Sequence, residues 1–456
     1  MDGGRRDPVT FSRRRFLTLA AVGLTGAGAA SLLAACQAPA PAAQPTAAPA
    51  KPAAPAASPA AAASPAASPA ASPVASPAAS PAVAPAAAKP TGEPIRFGVD
   101  EPLSGPVAAS GGYVRNGAEI GRDWINDRGG VLGRPLQLNI EDNKSDPKEA
   151  ASSVEKLIVS DKVPAIMGCW GSSMTLAAMP KLEQYSVPML VETSSAASIT
   201  TGGNPWVFRV APPSTREAAG LEKYYDDLKI KKADFLCVNT DFGRGAATAF
   251  GDLVKNKGGT VGDVEFMDQA ATDMGAQLTK IQQSGGDTLF ITTSIEQLVL
   301  TLKQAQERRL SPTIITTGGS TSPDQLIEQA GSAAENTYHI VFFLPWFPEA
   351  MPDPQLAKAF IDEWKRRGFP EGGLTEGFRG HDGILTLAEA TKLAGKPEPQ
   401  SIRDSLWNVN VMGLNGPIKF EKEGPPGKES GQSQPSIFLV QIKDGKVALP
   451  PFVKRS

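Results

Sequence analysis

The chain has few cysteines and histidines, two residue types that enzymes often use as nucleophiles, bases and metal ligands. Its 456 residues include only three cysteines and two histidines, His339 and His381. Metal-ligand spacings, a phosphate-cradling Gly-Lys-Ser/Thr loop and a Gly-x-Ser-x-Gly nucleophile elbow do not occur. We expect each histidine to cap an element or to lie at the surface. A secreted hydrolase is therefore disfavoured, and the sequence predicts no catalysis, no metal and no cofactor.

A surplus of positive charge is also missing. The chain has 45 Lys and Arg residues against 47 Asp and Glu, and beyond the N-terminal segment no extended basic patch occurs. Proteins that bind nucleic acid usually carry such a patch. We therefore expect no nucleic-acid partner.

Long apolar runs are equally scarce, and the one near the N-terminus indicates an export signal in residues 1–36. The run at 17–35 is too short and too rich in glycine for a membrane span. Residues 12–17 (Ser-Arg-Arg-Arg-Phe-Leu) resemble the twin-arginine export motif, with the general export route as the alternative. Residues 33–36 (Leu-Ala-Ala-Cys) resemble a bacterial lipobox, which would place a lipid on Cys36. An ordinary cleaved signal with an incidental cysteine is the other interpretation.

Residues 37–92 are rich in Ala, Pro and Ser and contain almost nothing to bury. Such a composition predicts a disordered, partly polyproline tether that holds a folded domain away from a membrane. A passive cell-wall spacer is the alternative, and it would have the same composition and the same extended conformation.

The other two cysteines, Cys169 and Cys237, lie at the ends of two different predicted strands. A disulfide is possible outside the cytoplasm, but a pair of buried free thiols is the expectation.

The rest of the chain alternates strands and helices. Its first unit is a buried strand at 95–99, a Gly/Ser loop at 103–112, an amphipathic helix and a strand at 136–140. Asp146 and Pro147 then predict the start of a second helix. The alternation continues to the C-terminus and predicts an α/β fold of mainly parallel, doubly wound sheets. Residues 93–456 exceed one ordinary core, so we expect two lobes with a cleft between them.

Several short segments, in order along the chain, match the pattern of one known family. They are residues 102–105, 117–119, 125–134, 142–147, 242–245, 303–305, 412–413 and 416–420. The chain resembles the type I periplasmic binding proteins of the branched-chain amino acid (Leu/Ile/Val-binding) kind, which serve ATP-binding-cassette (ABC) importers. The resemblance implies three crossovers between lobe 1 (93–212 and 341–410) and lobe 2 (213–340 and 411–456).

Small polar loops follow several of the predicted parallel strands, where α/β proteins bind ligands and where helix N-termini favour anions. In the family, the first lobe holds the ligand's carboxylate through a serine after the third strand and through the loop after the fourth. The resemblance carries these roles to Ser172 or Ser173, to backbone groups of Thr193 and Ser194, and to the Ser195 hydroxyl.

The second lobe departs from the pattern of the amino-acid binders. Phe242 stands where the family has an aromatic residue, often tyrosine. Ser294 and Gly319 stand where it has a second aromatic residue and a carboxylate that pairs with the ligand's ammonium. A buried ammonium without a counter-charge is costly, so this departure weakens the case for an α-amino acid. Glu192 or Asp241 could substitute, or both could be solvated loop acids.

The predicted function is that of a lipid-anchored, monomeric, extracytoplasmic solute-binding protein that delivers its ligand to the membrane subunits of an ABC importer. Branched-chain amino acids, amides, urea and aromatic acids stay open as ligands. Trp170 lies at a cleft-facing turn and either stacks on the ligand or belongs to the core. A ligand-sensing receptor subunit for a signalling partner is the alternative function.

Overall fold

The structure is a computed structural model that describes residues 88–319 and 321–453. The predicted export signal, the lipobox and most of the tether lie outside these residues. Within them, no helix is long and apolar enough to cross a membrane.

Strands and helices alternate along the described chain. The strands are β1 (Ile95–Glu101), β2 (Leu136–Asp142), β3 (Ile166–Gly168), β4 (Met189–Val191), β5 (Val207–Arg209), β6 (Lys232–Val238), β7 (Thr260–Met267), β8 (Thr288–Thr292), β9 (Thr313–Thr316), β10 (Tyr338–Val341), β11 (Val411–Met412), β12 (Pro417–Ile418), β13 (Glu421–Glu423), β14 (Ser430–Gln432), β15 (Phe438–Lys443) and β16 (Lys446–Ala448). The α-helices are α1 (Ala108–Asp127), α2 (Pro147–Val159), α3 (Ser172–Tyr185), α4 (Ser198–Thr201), α5 (Ser214–Glu222), α6 (Asp241–Asn256), α7 (Gly275–Ser284), α8 (Ile295–Glu307), α9 (Pro323–Ala330), α10 (Pro354–Arg366), α11 (Leu374–Ala394) and α12 (Pro399–Leu406).

Two seven-stranded sheets form the two lobes. The first has the order β13-β14-β5-β4-β3-β1-β2 and the second has the order β16-β15-β10-β9-β8-β6-β7. Strands β1 to β5 pair in parallel, as do β6 to β10, and antiparallel pairing is confined to the C-terminal strands. This confirms the predicted α/β fold with two lobes of mainly parallel sheet.

The C-terminal segment divides differently from the prediction, which placed all of 411–456 in lobe 2. Strand β14 pairs in parallel with β5, so β13 and β14 extend the first sheet. The chain then passes to the second sheet through residues 433–437 rather than near residue 410. The sequence 430–432 (Ser-Gly-Gln) lacks the apolar alternation that identifies strands, and tertiary contacts with β5 decide its conformation. The other predicted boundaries stay predictions.

The first helix also begins earlier than expected. Residues 110–112, predicted as part of a Gly/Ser loop, lie in the first turns of α1. A Cβ on Gly111 would lie 2.2 Å from the carbonyl oxygen of Pro102. Close packing against the preceding segment therefore explains why glycine occurs here in spite of its low helix propensity.

Helix α11 joins the cores of the two lobes. Its C-terminal half contributes Ile384 and Leu387 to the core of the first lobe. Its N-terminal half contributes Leu374 and Phe378 to a second cluster, which also contains Phe343 and side chains of β6, β8 and β10. The lobes therefore share apolar packing on the side of α11.

Helices α1 and α11 cross at glycines, with their backbones in contact. A Cβ on Gly117 would lie 1.7 Å from the carbonyl oxygen of Gly377. A Cβ on Gly380 would lie 1.9 Å from the carbonyl oxygen of Val114. Any side chain at this crossing would push the helices apart.

We expect Gly117→Ala to destabilise the protein by about 1–3 kcal/mol, although alanine favours helices, because backbone atoms would have to move. Gly112→Ala is the matched control, since Gly112 lies on the same helix and an added Cβ meets nothing within 4 Å. That change should be neutral or stabilising by up to about 1 kcal/mol. Urea unfolding measures both. Equal stability of Gly117→Ala and the wild type would contradict this helix crossing.

Both histidines are buried, so the predicted capping or surface role is wrong. His339 Nδ1 lies 2.8 Å from Thr316 Oγ1, and Nε2 lies 2.8 Å from Thr337 Oγ1. Burial lowers the pKa of His339 to about 3, which keeps its ring neutral. His381 Nδ1 lies 2.9 Å from Asp382 Oδ1. These partners come from tertiary packing, which residue type alone does not reveal.

Among the described residues, Cys169 and Cys237 are buried free thiols, as predicted.

Candidate ligand-binding site

The loops that follow β3 and β4 lie side by side, because these strands are parallel neighbours in the first sheet. The hydroxyl of Ser172 accepts a hydrogen bond from the backbone N–H of Ala196 (3.1 Å). The hydroxyl of Ser194 donates to the carbonyl oxygen of Trp170 (3.0 Å) and lies 2.7 Å from Thr175 Oγ1. The two loops therefore form one hydrogen-bonded unit.

This unit faces the second lobe across a cavity that is partly open to solvent. The cavity is lined from the first lobe by Trp170, Gly171, Ser172, Thr193, Ser194 and Ser195, and from the second by Phe242 and Gly318. Six of the residues predicted to bind ligand thus share one space between the lobes.

A neighbouring cavity, also partly open to solvent, shares four lining residues with the first: Trp170, Gly171, Ser172 and Phe242. Its other lining residues include Ser173 and Ser294, along with polar and apolar side chains from both lobes: Val107, Met174, Thr240, Gln269 and Gln297. The structure therefore brings eight of the nine predicted residues to adjoining cavities in the cleft. That they bind ligand stays a prediction.

Gly319 is the exception, and its neighbour Gly318 lines the cavity instead. Both glycines have positive φ (+59° and +90°), which favours glycine. A Cβ on Gly318 would lie 2.3 Å from the ring of Phe242, and one on Gly319 would lie 2.4 Å from the ring of Phe342. Aromatic rings therefore fill the space into which a carboxylate side chain on this turn would extend.

The first-lobe side of the cavity offers hydrogen-bond donors. Helix α3 begins at Ser172, and its N-cap residue Gly171 has no side chain to cap it. The first N–H groups of a helix lack intrahelical acceptors and carry partial positive charge. On this side, Thr193 Oγ1 is buried without a partner in hydrogen-bonding geometry. In the second lobe, Ser294 Oγ of the neighbouring cavity is in the same situation. This arrangement suits an anion such as a carboxylate.

Ser173 and Asp241 join the lobes at the mouth of the cleft. Ser173 Oγ donates to Asp241 Oδ2 (2.6 Å) and accepts from the backbone N–H of Asp241 (3.2 Å). Asp241 is exposed to solvent. Its carboxylate is thus engaged by a serine from the opposite lobe, at the N-terminus of α6.

Glu192 is not a solvated loop acid, because its side chain is only 1% exposed. Burial raises the pKa of Glu192 to about 7. Burial also raises the pKa of Glu101 well above its usual range, and the negative charge of Glu192 adds to this effect. The two carboxyl groups therefore favour a neutral form beneath the cleft.

Trp170 belongs to the core, as one of the two interpretations has it, and it also faces the cleft; that it stacks on the ligand stays a prediction. It is 7% exposed and belongs to the first-lobe core, yet it lines both cavities. Its indole Nε1 donates to Glu376 Oε2 (3.4 Å), which fixes the ring at the cleft wall.

Sequence reasoning missed four buried charged residues that border the site: Glu101, Arg209, Glu217 and Arg379. Glu217 Oε2 accepts from the N–H of Gly318 (2.7 Å), and Arg379 Nη2 donates to the carbonyl oxygen of Gly319 (2.8 Å). The one available signal was a charged residue at the end of an apolar strand, as for Glu101 and Arg209. Exposed strand ends give the same signal.

Among the described residues, no group of three His, Cys, Asp or Glu side chains could hold a metal ion. The groups that line the cleft can contact a ligand through hydrogen bonds, charge and aromatic rings.

Over most of its length, the chain is similar in sequence to two bacterial proteins named for the amino acids that they bind. It is 25% identical over 331 residues to the leucine-, isoleucine-, valine-, threonine- and alanine-binding protein of Pseudomonas aeruginosa, covering 72% of this chain and 86% of that one. It is 28% identical over 355 residues to Leu/Ile/Val-binding protein homolog 3 of Brucella melitensis, covering 77% and 92%.

Solved structures show the same fold. The leucine-binding protein LivK of Thermotoga maritima is 26% identical, with a TM-score of 0.69, over 78% of this chain and 97% of that one. A solute-binding protein of an ABC transporter from R. palustris, solved with 4-hydroxybenzoate, is 22% identical, with a TM-score of 0.67, over 78% and 95%.

The family model described as periplasmic binding protein matches residues 94–446, which span both sheets and the cleft between them. This chain therefore belongs to the periplasmic binding protein family.

Proposed function

We propose that this protein closes its two lobes on a small carboxylate-bearing solute outside the cytoplasm and delivers it to an ABC importer. The observation that carries the proposal is the joining of the Ser172 and 193–195 loops around one cavity, at the N-terminus of α3. Closure removes water and strengthens each polar contact to the ligand. The named relatives are solute-binding proteins, which supports binding rather than turnover.

The walls of the cleft favour a ligand whose body is apolar. Trp170 and Phe242 face it from opposite lobes. The turn at Gly318 and Gly319, where amino-acid binders carry an acid, is occupied by aromatic rings instead. We propose an aromatic or branched aliphatic acid without an α-ammonium group as the preferred ligand. Branched-chain amino acids come next, in line with the names of the relatives.

A thermal-shift screen followed by isothermal titration calorimetry tests this proposal. The screen compares 4-hydroxybenzoate, benzoate, 4-methylpentanoate, leucine, isoleucine, acetamide and urea. A true ligand at a hundred times its Kd stabilises the folded protein by about 2.7 kcal/mol through mass action. We expect the carboxylates to stabilise it and the neutral solutes to have no effect. Stabilisation by urea or acetamide alone would contradict a carboxylate site.

The contact between Ser173 and Asp241 should act as a latch rather than as part of the ligand site. We expect Ser173→Ala and Asp241→Ala each to weaken binding of the acid about three- to tenfold, because the closed form loses one exposed hydrogen-bonded contact. The double variant should lose no more than either single variant, since both remove the same contact. Titration calorimetry measures all three.

Asp252→Ala is the control for the latch, because Asp252 lies on the same helix and pairs only at the surface with Lys255 (3.5 Å). It should leave the affinity unchanged. Additive losses in the double variant would show that Ser173 binds the ligand directly.

Family membership implies an extracytoplasmic location, and we propose that a lipid on Cys36 anchors the protein as a monomer. The support is the Leu-Ala-Ala-Cys sequence at the end of the apolar run. We expect Cys36→Ala to move the protein from the membrane to the soluble fraction, as measured by fractionation and immunoblotting. An unchanged membrane fraction for Cys36→Ala would rule out the lipid anchor.

A double Arg13→Lys, Arg14→Lys variant should block export if the twin-arginine route is used.

A further inference from the structure

Arg209, the last residue of β5, is completely buried against the loop after β4. Its Nη1 donates to the carbonyl oxygens of Ser194 (3.1 Å) and Ala196 (2.7 Å). Its Nη2 donates to Thr200 Oγ1 (2.7 Å) and its Nε donates to Gln432 Oε1 (2.6 Å). Each of the three nitrogens therefore has a partner, and all four acceptors are neutral, so no direct contact neutralises the guanidinium.

No ion pair between described residues includes Arg209. Glu423 approaches it only through Thr200, whose hydroxyl donates to Glu423 Oε2 (2.6 Å), on the Nη2 side. Nη1 itself contacts two loop carbonyls. The buried Glu217 also acts on Arg209 through its charge, although no hydrogen bond or ion pair joins the two side chains. Burial lowers the pKa of Arg209 to about 9, which still leaves it charged at neutral pH. A buried cation of this kind is costly unless a negative charge comes near it.

We propose that Arg209 supplies the positive charge that makes the cleft select an anionic solute. The inference rests on the proposed function, in which the ligand's carboxylate lies against Ser172 and the 193–195 loop. The guanidinium lies directly against the same loop, so its charge acts on the carboxylate through one layer of peptide groups in a low-dielectric site.

The hydrogen bonds of Arg209 also orient the loop. Because the carbonyl oxygens of Ser194 and Ala196 are held by Nη1, these peptide groups are fixed in direction before ligand binds. Arg209 does not line the cavity. It is therefore a positioning residue that acts through the loop and through its charge.

A purely structural role is the competing explanation, since Arg209 also ties β5 to β14 through Gln432. The two explanations differ in one measurable quantity. A structural role weakens the binding of an acid and of its neutral amide alike, whereas the charge of Arg209 acts on the acid alone.

The experiment compares two matched ligand pairs, 4-hydroxybenzoate with 4-hydroxybenzamide and 4-methylpentanoate with 4-methylpentanamide, by titration calorimetry at pH 7.5. The proteins are the wild type, Arg209→Lys, Arg209→Gln and the control Arg403→Gln. Arg403 also donates to a loop carbonyl of this lobe, that of Pro205 (2.8 Å), but it is partly exposed and pairs with Asp404. Circular dichroism establishes that each variant is folded.

We expect the wild type to prefer the acid over its amide at least about a hundredfold, and Arg403→Gln to keep that preference. Arg209→Lys retains the charge but loses the planar fork of N–H donors. This variant should bind both ligands of a pair more weakly, and its preference for the acid over the amide should stay within about threefold of the wild-type value. Arg209→Gln should reduce the preference at least about tenfold, mainly by weakening the binding of the acid. A folded Arg209→Gln protein with the wild-type preference overturns the proposal.

Other outcomes distinguish failure of the role of Arg209 from failure of the proposed function. If Arg209→Gln does not fold, Arg209→Lys decides, because loss of the preference in a variant that keeps the charge overturns the proposal and its retention supports it. A wild type that binds none of the carboxylates refutes the proposed function itself. A wild type that binds them, with a preference insensitive to Arg209→Gln, refutes only the role of Arg209.

Discussion

Ser172→Asp is expected to weaken the binding of a carboxylate ligand at least about a hundredfold. The new carboxylate would lie at the start of α3, in the cavity that the Ser172 and 193–195 loops line. It would take up the free N–H groups of the first turn and repel a ligand of the same charge in a site that excludes water. Titration calorimetry with the acid identified in the ligand screen measures the loss.

The same substitution should leave the protein folded, which separates a binding defect from misfolding. Aspartate near a helix N-terminus is favourable, whereas burial of a carboxylate is costly, and Ser172 is only 2% exposed. The unliganded variant should therefore stay folded, with a melting temperature close to or slightly below that of the wild type. Ser152→Asp, at an exposed position of α2, is the matched control and should bind as the wild type does. Affinity of Ser172→Asp within about threefold of the wild type would place the ligand's carboxylate elsewhere.

Stability is expected to fall as the pH rises from about 4.5 to about 7, because the buried carboxyl groups together outweigh His339, whose lowered pKa acts in the opposite direction below pH 6.5. Burial raises the pKa values of Glu192 and Glu217 from 4.5 to about 7 in the folded protein. In the unfolded chain both groups ionise near the ordinary value. The folded state therefore holds protons that the unfolded state releases, and the stability linked to them is present below pH 4.5 and lost by about pH 7.

The expected size of the effect is large. For Glu217, the rise of the pKa from 4.5 to about 7 corresponds to about 3 kcal/mol, and the raised pKa of Glu192 acts in the same direction. Glu217→Gln should remove its share of the pH dependence, because glutamine keeps an oxygen for the N–H of Gly318 and does not ionise. Glu328→Gln, at an exposed position of α9, should leave the pH dependence intact.

Urea unfolding of the unliganded protein at pH 5, 6, 7 and 8 measures this effect. A free energy of unfolding that stays level or rises over this range would contradict the neutral form of the buried acids. A Glu217→Gln protein with an unchanged slope would show that Glu217 is already ionised at pH 5.

The sequence was informative where structure depends on local patterns. The start of α2 follows from Asp146 and Pro147, and the structure shows Asp146 capping the backbone N–H groups of Lys148 and Glu149. The meeting of Ser172 with the 193–195 loop follows from topology, because the loops after parallel neighbouring strands emerge at the same sheet edge. The strand pattern located these loops, and the family resemblance identified the residues within them.

The parts that sequence could not place depend on distant partners. Strand β14 carries no apolar alternation, and its place beside β5 depends on contacts of Gly431 and Gln432 with Phe208 and Arg209. The buried charges at Glu217 and Arg379 bond to backbone groups of one turn, 101 and 60 residues away along the chain. Such pairings are fixed by tertiary packing, which the spacing of residues in one sequence does not reveal.

The second lobe shows how a one-residue shift changes the assignment of a site. The family pattern pointed to Gly319, whereas Gly318 lines the cavity and Gly319 lies beneath the ring of Phe342. Loops tolerate insertions and deletions better than strands do, so positions carried over by resemblance are least secure there.

A crystal structure of the protein with a bound carboxylate from the ligand screen tests the central claim most directly. The account predicts that one carboxylate oxygen lies within about 3.2 Å of a backbone N–H at the start of α3 or of the Ser195 hydroxyl, with the ligand's apolar body between Trp170 and Phe242. A ligand bound outside the cleft, or one whose carboxylate points toward Gly318 and away from the 193–195 loop, would contradict it.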